Sequence, residues 1–184
     1  YPGGSTTGGY NAYVSTAFWV AFDYNRINCT VDGVRVTLPL NDQVAFNLPT
    51  GTIPAGSINA VVKYCVVVGN TGSYNQTGLL HRSEFGAQIH HNFFYGVTST
   101  SGTRAAIYAR ANGGKLAYVY QNTVTGGDRG VFGDASVDGG YWLDNLSVGN
   151  TTNWGTKPTG LTLASNNGGD PTSSYSKGTP WDSA

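Results

Sequence analysis

Ile89-His90-His91-Asn92-Phe93-Phe94-Tyr95-Gly96 is one of four stretches built on one template: an apolar residue, two variable residues, Asn or Cys, then Gly four positions on. The others are Val62-Lys63-Tyr64-Cys65-Val66-Val67-Val68-Gly69, Val119-Tyr120-Gln121-Asn122-Thr123-Val124-Thr125-Gly126 and Trp142-Leu143-Asp144-Asn145-Leu146-Ser147-Val148-Gly149. Their Asn or Cys positions lie 27, 30 and 23 residues apart. An irregular repeat of that length, rich in strand formers and punctuated by Gly, is what a coiled β-solenoid produces when each turn carries its own loop.

A second apolar piece recurs between the templates: Gly78-Leu79-Leu80, Ala106-Ile107-Tyr108 and Gly130-Val131-Phe132. A coil turn needs two or three short strands, and these pieces predict its other wall. The segments between them, Thr98 to Thr103, Asn112-Gly113-Gly114 and Asp134 to Gly140, are polar or Gly-rich and read as loops leaving the coil. Upstream, Phe18 to Phe22 is an apolar run and Val34-Arg35-Val36-Thr37-Leu38 alternates strictly, so both read as strands. The template extends to Val44-Ala45-Phe46-Asn47-Leu48-Pro49-Thr50-Gly51 and, more loosely, to Cys29. The expected organisation is a Gly-rich N-terminal arm (1–17), a β cap or first irregular rungs (18–57), a parallel coil (58–155) and an irregular C-terminal strap or tail (156–184).

Asn suits the bend between parallel strands because its amide can bond local backbone and the same amide one rung away, about 4.8 Å along the stack. Cys65, Asn92, Asn122 and Asn145 are thus the expected ladder, with Cys65 as a buried, apolar interruption. The three Asn-bearing runs look like rungs of the right-handed parallel β-helix, or pectate-lyase-like, superfamily. The resemblance spans about residues 58–155 and implies an all-β, right-handed parallel β-helix of about four to six rungs. The superfamily holds polysaccharide lyases, glycosidases, phage tailspikes and non-enzymatic surface or virion proteins, so fold leaves activity open.

Composition narrows the classes. Ten basic residues balance ten acidic ones and no basic run occurs, which removes the electrostatic footprint of a nucleic-acid binder. No apolar stretch is long enough for a membrane-spanning helix. Charged residues make up only 11% of the chain, so neutral polar groups must cover its surface. The sequence starts at Tyr1 without Met, as expected where a leader has been removed or the numbering begins within a longer product.

An enzyme acting on polysaccharides would need paired carboxylates, or a cation and a base. Glu84 is the sole Glu, and Asp128, Arg129, Asp134 and Asp138 are the candidate catalytic group, with Asp144 nearby. Ca²⁺ is the cation such oxygens would hold. Asp beside Gly is equally what a loop turn requires, and no rung has the several-Asp-plus-base face that the resemblance implies for a lyase. His90 and His91, joined by His81, invite a metal, but strand neighbours point to opposite faces and would not chelate one ion. Cys29 and Cys65 are either a disulfide or two buried thiols. Tyr95, Tyr108, Tyr118, Tyr120, Tyr141 and Trp142 cluster in the coil; outward rings would form platforms for sugars or a neighbouring subunit, while inward ones would stack within the chain. The expected protein is therefore a non-enzymatic, extracellular, cell-surface or virion-surface β-helix with a structural, adhesive or assembly role. Homo-oligomers or a partner chain at its open ends, and glycans, are the expected partners, with no cofactor. The alternative is a polysaccharide lyase or glycoside hydrolase.

Overall fold

The computed structural model describes residues 12–15, 20–23, 29–48, 58–81, 86–100, 104–109, 117–133, 139–157, 159–165 and 167–169. These residues form strands and bends with no helix. Sheet A consists of β1 (Ala12–Ser15), β4 (Val34–Thr37), β7 (Val66–Val68), β10 (Phe93–Tyr95), β13 (Thr123–Thr125) and β16 (Leu146–Val148). Sheet B holds β2 (Val20–Asp23), β5 (Val44–Leu48), β8 (Thr77–His81), β11 (Ile107–Ala109), β14 (Arg129–Gly133) and β17 (Thr152–Trp154). Sheet C holds β3 (Cys29–Asp32), β6 (Ile58–Lys63), β9 (Gly86–His90), β12 (Ala117–Tyr120), β15 (Gly140–Leu143) and β18 (Leu163–Ser165). Every strand pair is parallel, and each strand pairs with those three before and after it in the chain. The protein is thus an all-β parallel solenoid with three walls.

Short strands with period-2 alternation suit this arrangement, because each wall buries one column of side chains per rung. Val62, Ile89, Val119 and Trp142 line up from sheet C, Val36, Val67, Phe94 and Val124 from sheet A, and Phe46, Leu79, Ile107, Val131 and Trp154 from sheet B. All belong to one buried cluster. At about 1.5–3 kcal/mol for each large apolar side chain withdrawn from water, this interior is what holds the coil closed. The outer side of sheet B is buried as well, with Leu80, Tyr108 and Phe132 joining Val44 and Ala105 in a second cluster.

The strands reach beyond residues 58–155 in both directions. β1 lies within the stretch expected to be an arm, and alternation resumes there at Ala12-Tyr13-Val14-Ser15. At the other end β18 pairs with β15, and Gly168 bridges to Leu146. Asn47 and Cys29 are not ladder positions. Asn47 belongs to β5 on sheet B, paired with Leu80, and Cys29 starts β3 opposite Ala60. The slot one rung before Cys65 is taken by Val34, the residue preceding Arg35 as Cys65 precedes Val66.

Candidate binding surface

The bend from sheet C to sheet A organises the surface beside it. Asn92 Nδ2 donates to Asn122 Oδ1 (3.0 Å), Asn122 Nδ2 to Asn145 Oδ1 (2.9 Å) and Asn145 Nδ2 to Asn167 Oδ1 (3.1 Å). Each second N–H donates to a carbonyl of the preceding rung: Asn92 to Val62, Asn122 to Ile89, Asn145 to Val119 and Asn167 to Trp142. The backbone N–H groups of Cys65, Asn92, Asn122 and Asn145 donate to the next amide oxygen at 3.0–3.1 Å. These amides supply the buried backbone where the strand ladder stops.

Cys65 is a free, buried thiol, so a bridge to Cys29 is not formed. Burial pushes its pKa up to about 11, which makes it a poor nucleophile. Its sulfur lies 3.1 Å from the Lys63 carbonyl oxygen. An amide there would find the Val34 N–H that now faces the sulfur and the Asn92 oxygen, the same partners its neighbours use. Cys65→Asn is expected to stabilise the fold by about 1 kcal/mol, seen as a higher urea midpoint. A lower midpoint would mean that the slot is too small for an amide.

Immediately before Cys65, Asn92, Asn122 and Asn145 stands a residue with a left-handed backbone: Tyr64 (φ 52°), His91 (55°), Gln121 (53°) and Asp144 (54°). Such a conformation is costly for a non-Gly residue. It is held here by backbone N–H bonds along the column, from His91 to Tyr120 O, Gln121 to Leu143 O and Asp144 to Ser165 O. The bend also breaks the strand alternation. His90 and His91 therefore do not point apart, and their Nδ1 atoms are 2.8 Å from one another. The His90 ring stacks on Tyr120, with centroids 4.6 Å apart and an 8° interplanar angle, and His91 lies 5.0 Å from Tyr64. Lys63 pairs with Asp32 at 3.2 Å and sits 5.6 Å from the Tyr64 ring centroid.

Two groups of the cluster, His90 and Tyr120, are pushed toward their neutral forms. Burial, then the His91 and Lys63 charges, lowers the His90 pKa against the opposing pull of Asp32. Burial and Tyr64 raise that of Tyr120, opposed by Lys63. Beyond the bend, the outer side of sheet A carries Val66, Phe93, Thr123 and Leu146 in one column and Val68, Tyr95, Thr125 and Val148 in the next. None of these strands bears a charge. Phe93 and Tyr95 are 39% and 47% exposed, with ring planes within 7° of parallel and centroids 6.5 Å apart. The Tyr95 ring occupies the space over Gly126, where an added Cβ would come within 3.0 Å of it. On the sheet C side, Tyr118 and Tyr141 meet at 5.4 Å.

Of the aromatic residues singled out from the sequence, Tyr95, Tyr118, Tyr120 and Tyr141 therefore reach this surface. Two do not. Trp142 is fully buried because it holds the inward position of its rung, and Tyr108 is buried under the outer side of sheet B. Tyr64 and Phe93, both exposed, join the surface without having been singled out. Their signal was position: Tyr64 precedes the ladder residue and Phe93 follows it.

The acidic candidates lie elsewhere. Asp128 stands at the bend before β14, where its Oδ2 accepts the Ser99 N–H at 2.9 Å, a turn-fixing role. The neighbouring Arg129 guanidinium lies 3.8 Å from the Phe132 ring centroid, and burial lowers its pKa. Asp134, Asp138 and Glu84 lie outside the described residues. Among the described residues, no group of three or more His, Cys, Asp or Glu could hold a metal ion, and no helix is long and apolar enough to cross a membrane. No protein-family model matches this chain, and neither a curated protein nor a solved structure does.

Proposed function

We propose that the chain is a non-enzymatic surface module, extracellular or on a virion, with an adhesive or assembly role, and that it binds neutral glycan. The ligand lies across Tyr118, Tyr120 and Tyr141, over the bend at Tyr64, and onto Phe93 and Tyr95. The observation that carries this is the exposed, parallel pair Phe93 and Tyr95 on the part of sheet A from β7 to β16, whose strands bear no charged side chain; the exposed Arg35 of β4 marks its edge. Aromatic faces offer large apolar area to the C–H side of a sugar, and neighbouring hydroxyls such as Thr123 and Thr125 meet its polar edge without charge. The parallel coil is compatible with the right-handed β-helices of the pectate-lyase-like superfamily, where surface and virion proteins occur beside lyases and glycosidases. That likeness supports the architecture alone.

Affinity electrophoresis through a panel of neutral and acidic polysaccharides tests the role. At least one neutral polysaccharide is expected to retard the protein, and Phe93→Ala or Tyr95→Ala to weaken binding about tenfold or more while leaving the urea midpoint nearly unchanged. Migration unaffected by every polysaccharide would end the proposal.

A further inference from the structure

Resting on the binding role above, we infer that His90 and His91 form an acid-operated latch, which holds the ring surface in its binding shape near neutral pH and releases it in acid. Two Nδ1 atoms 2.8 Å apart must share one proton, one donating and the other accepting. Through that bond the pair ties together the rings on either side: Tyr120 stacked on His90, and Tyr64 tilted against His91. The two tyrosines stand two rungs apart, Tyr64 just after β6 and Tyr120 on β12. The histidines lie between them.

The first added proton leaves the bond intact. It enters from solvent at the free Nε2 of the donor ring, giving an imidazolium whose Nδ1–H still donates to the acceptor. The second proton must take the acceptor's Nδ1 lone pair, which breaks the bond and places two cations in contact. The groups facing the pair oppose that step. Lys63 on β6 adds a third cation, Asp32 on β3 offers a single carboxylate already paired with Lys63, and Tyr64 and Tyr120 bring rings with no carboxylate. Asp144 lies two rungs along the bend column, beyond Gln121. From sheet A, β7 and β10 bring no acidic or basic side chain. The lowered His90 value agrees in sign: neutral His90 stabilises the folded state, fully above about pH 6.5 and progressively less as pH falls toward the folded-state value.

The test uses the whole chain with ¹⁵N-labelled histidine, followed by NMR from pH 7.5 to 4.5, alongside binding to whichever polysaccharide retards the protein. The pair is expected to titrate in two steps, the second below the ordinary value of about 6.5. Binding is expected to weaken about tenfold between pH 7.5 and 5. In His91→Asn, where Asn tolerates the left-handed backbone, that ratio should fall below about twofold. Independent titration of both rings at the ordinary value, or equal wild-type affinity at the two pH values, would overturn the latch. A two-step titration with no binding at any pH would instead overturn the binding role, and the control of binding with it.

Discussion

Asn122→Ala is expected to destabilise the protein by about 3–5 kcal/mol, read as a fall in urea midpoint at unchanged slope. The side chain is buried and serves both directions of the ladder. Its oxygen accepts from the Asn92 backbone and side-chain N–H groups, and its nitrogen donates to Ile89 O, Tyr120 O and Asn145 Oδ1. Truncation takes these partners away at a position only 1% exposed, at about 1–3 kcal/mol for each buried group left without one. Asn122→Asp separates the two halves of the bond set: it keeps the acceptor for Asn92 but aims a carboxylate at three oxygens, so it should be at least as damaging near neutral pH. A loss below 1 kcal/mol for Asn122→Ala would show that the amides decorate the bend without supporting it.

Trp142→Ala is expected to cost about 3–5 kcal/mol, the range for removing a large buried aromatic and leaving a cavity. Trp142 follows Val62, Ile89 and Val119 in the inward column of sheet C, and the next rung offers only Ala164 there. Its bulk fills the interior where the column narrows. Circular dichroism in urea measures the loss, and the folded fraction should still be retarded by any glycan that retards the wild type. A stable Trp142→Ala protein that has lost glycan binding would place the indole on the ligand instead.

How far the sequence could be read depends on which wall a residue occupies. Leu79, Ile107 and Val131 stand in one register on sheet B, as their recurrence between templates implied, and Asn92, Asn122 and Asn145 are spaced by the coil itself. Asn47 shows the limit. It satisfies the same apolar and Gly spacing from a different wall, because a linear pattern does not say which of three faces it describes. Asn167 was missed for the opposite reason: it closes the ladder but has Pro171 where Gly was required. The inward place of Trp142 was readable, since it fills the apolar position of its template. The meeting of His90 and His91 was not, because Tyr64, His91, Gln121 and Asp144 share a backbone conformation and no chemistry.

The ladder steps of 27, 30, 23 and 22 residues differ while the strands keep their parallel pairing, with one register shift at Ile58–Ala60 of β6. The strands and bends thus set a constant circumference, and surplus length leaves the coil between walls. Lengthening such an excursion costs little, about 0.6 kcal/mol for each doubling, because only loop closure changes. A foreign peptide spliced between β10 and β11, the longest connection within the longest step, would therefore be displayed on a frame that does not register its arrival. The same property makes each circuit a unit that duplication can add or deletion remove, with the amides resealing above and below.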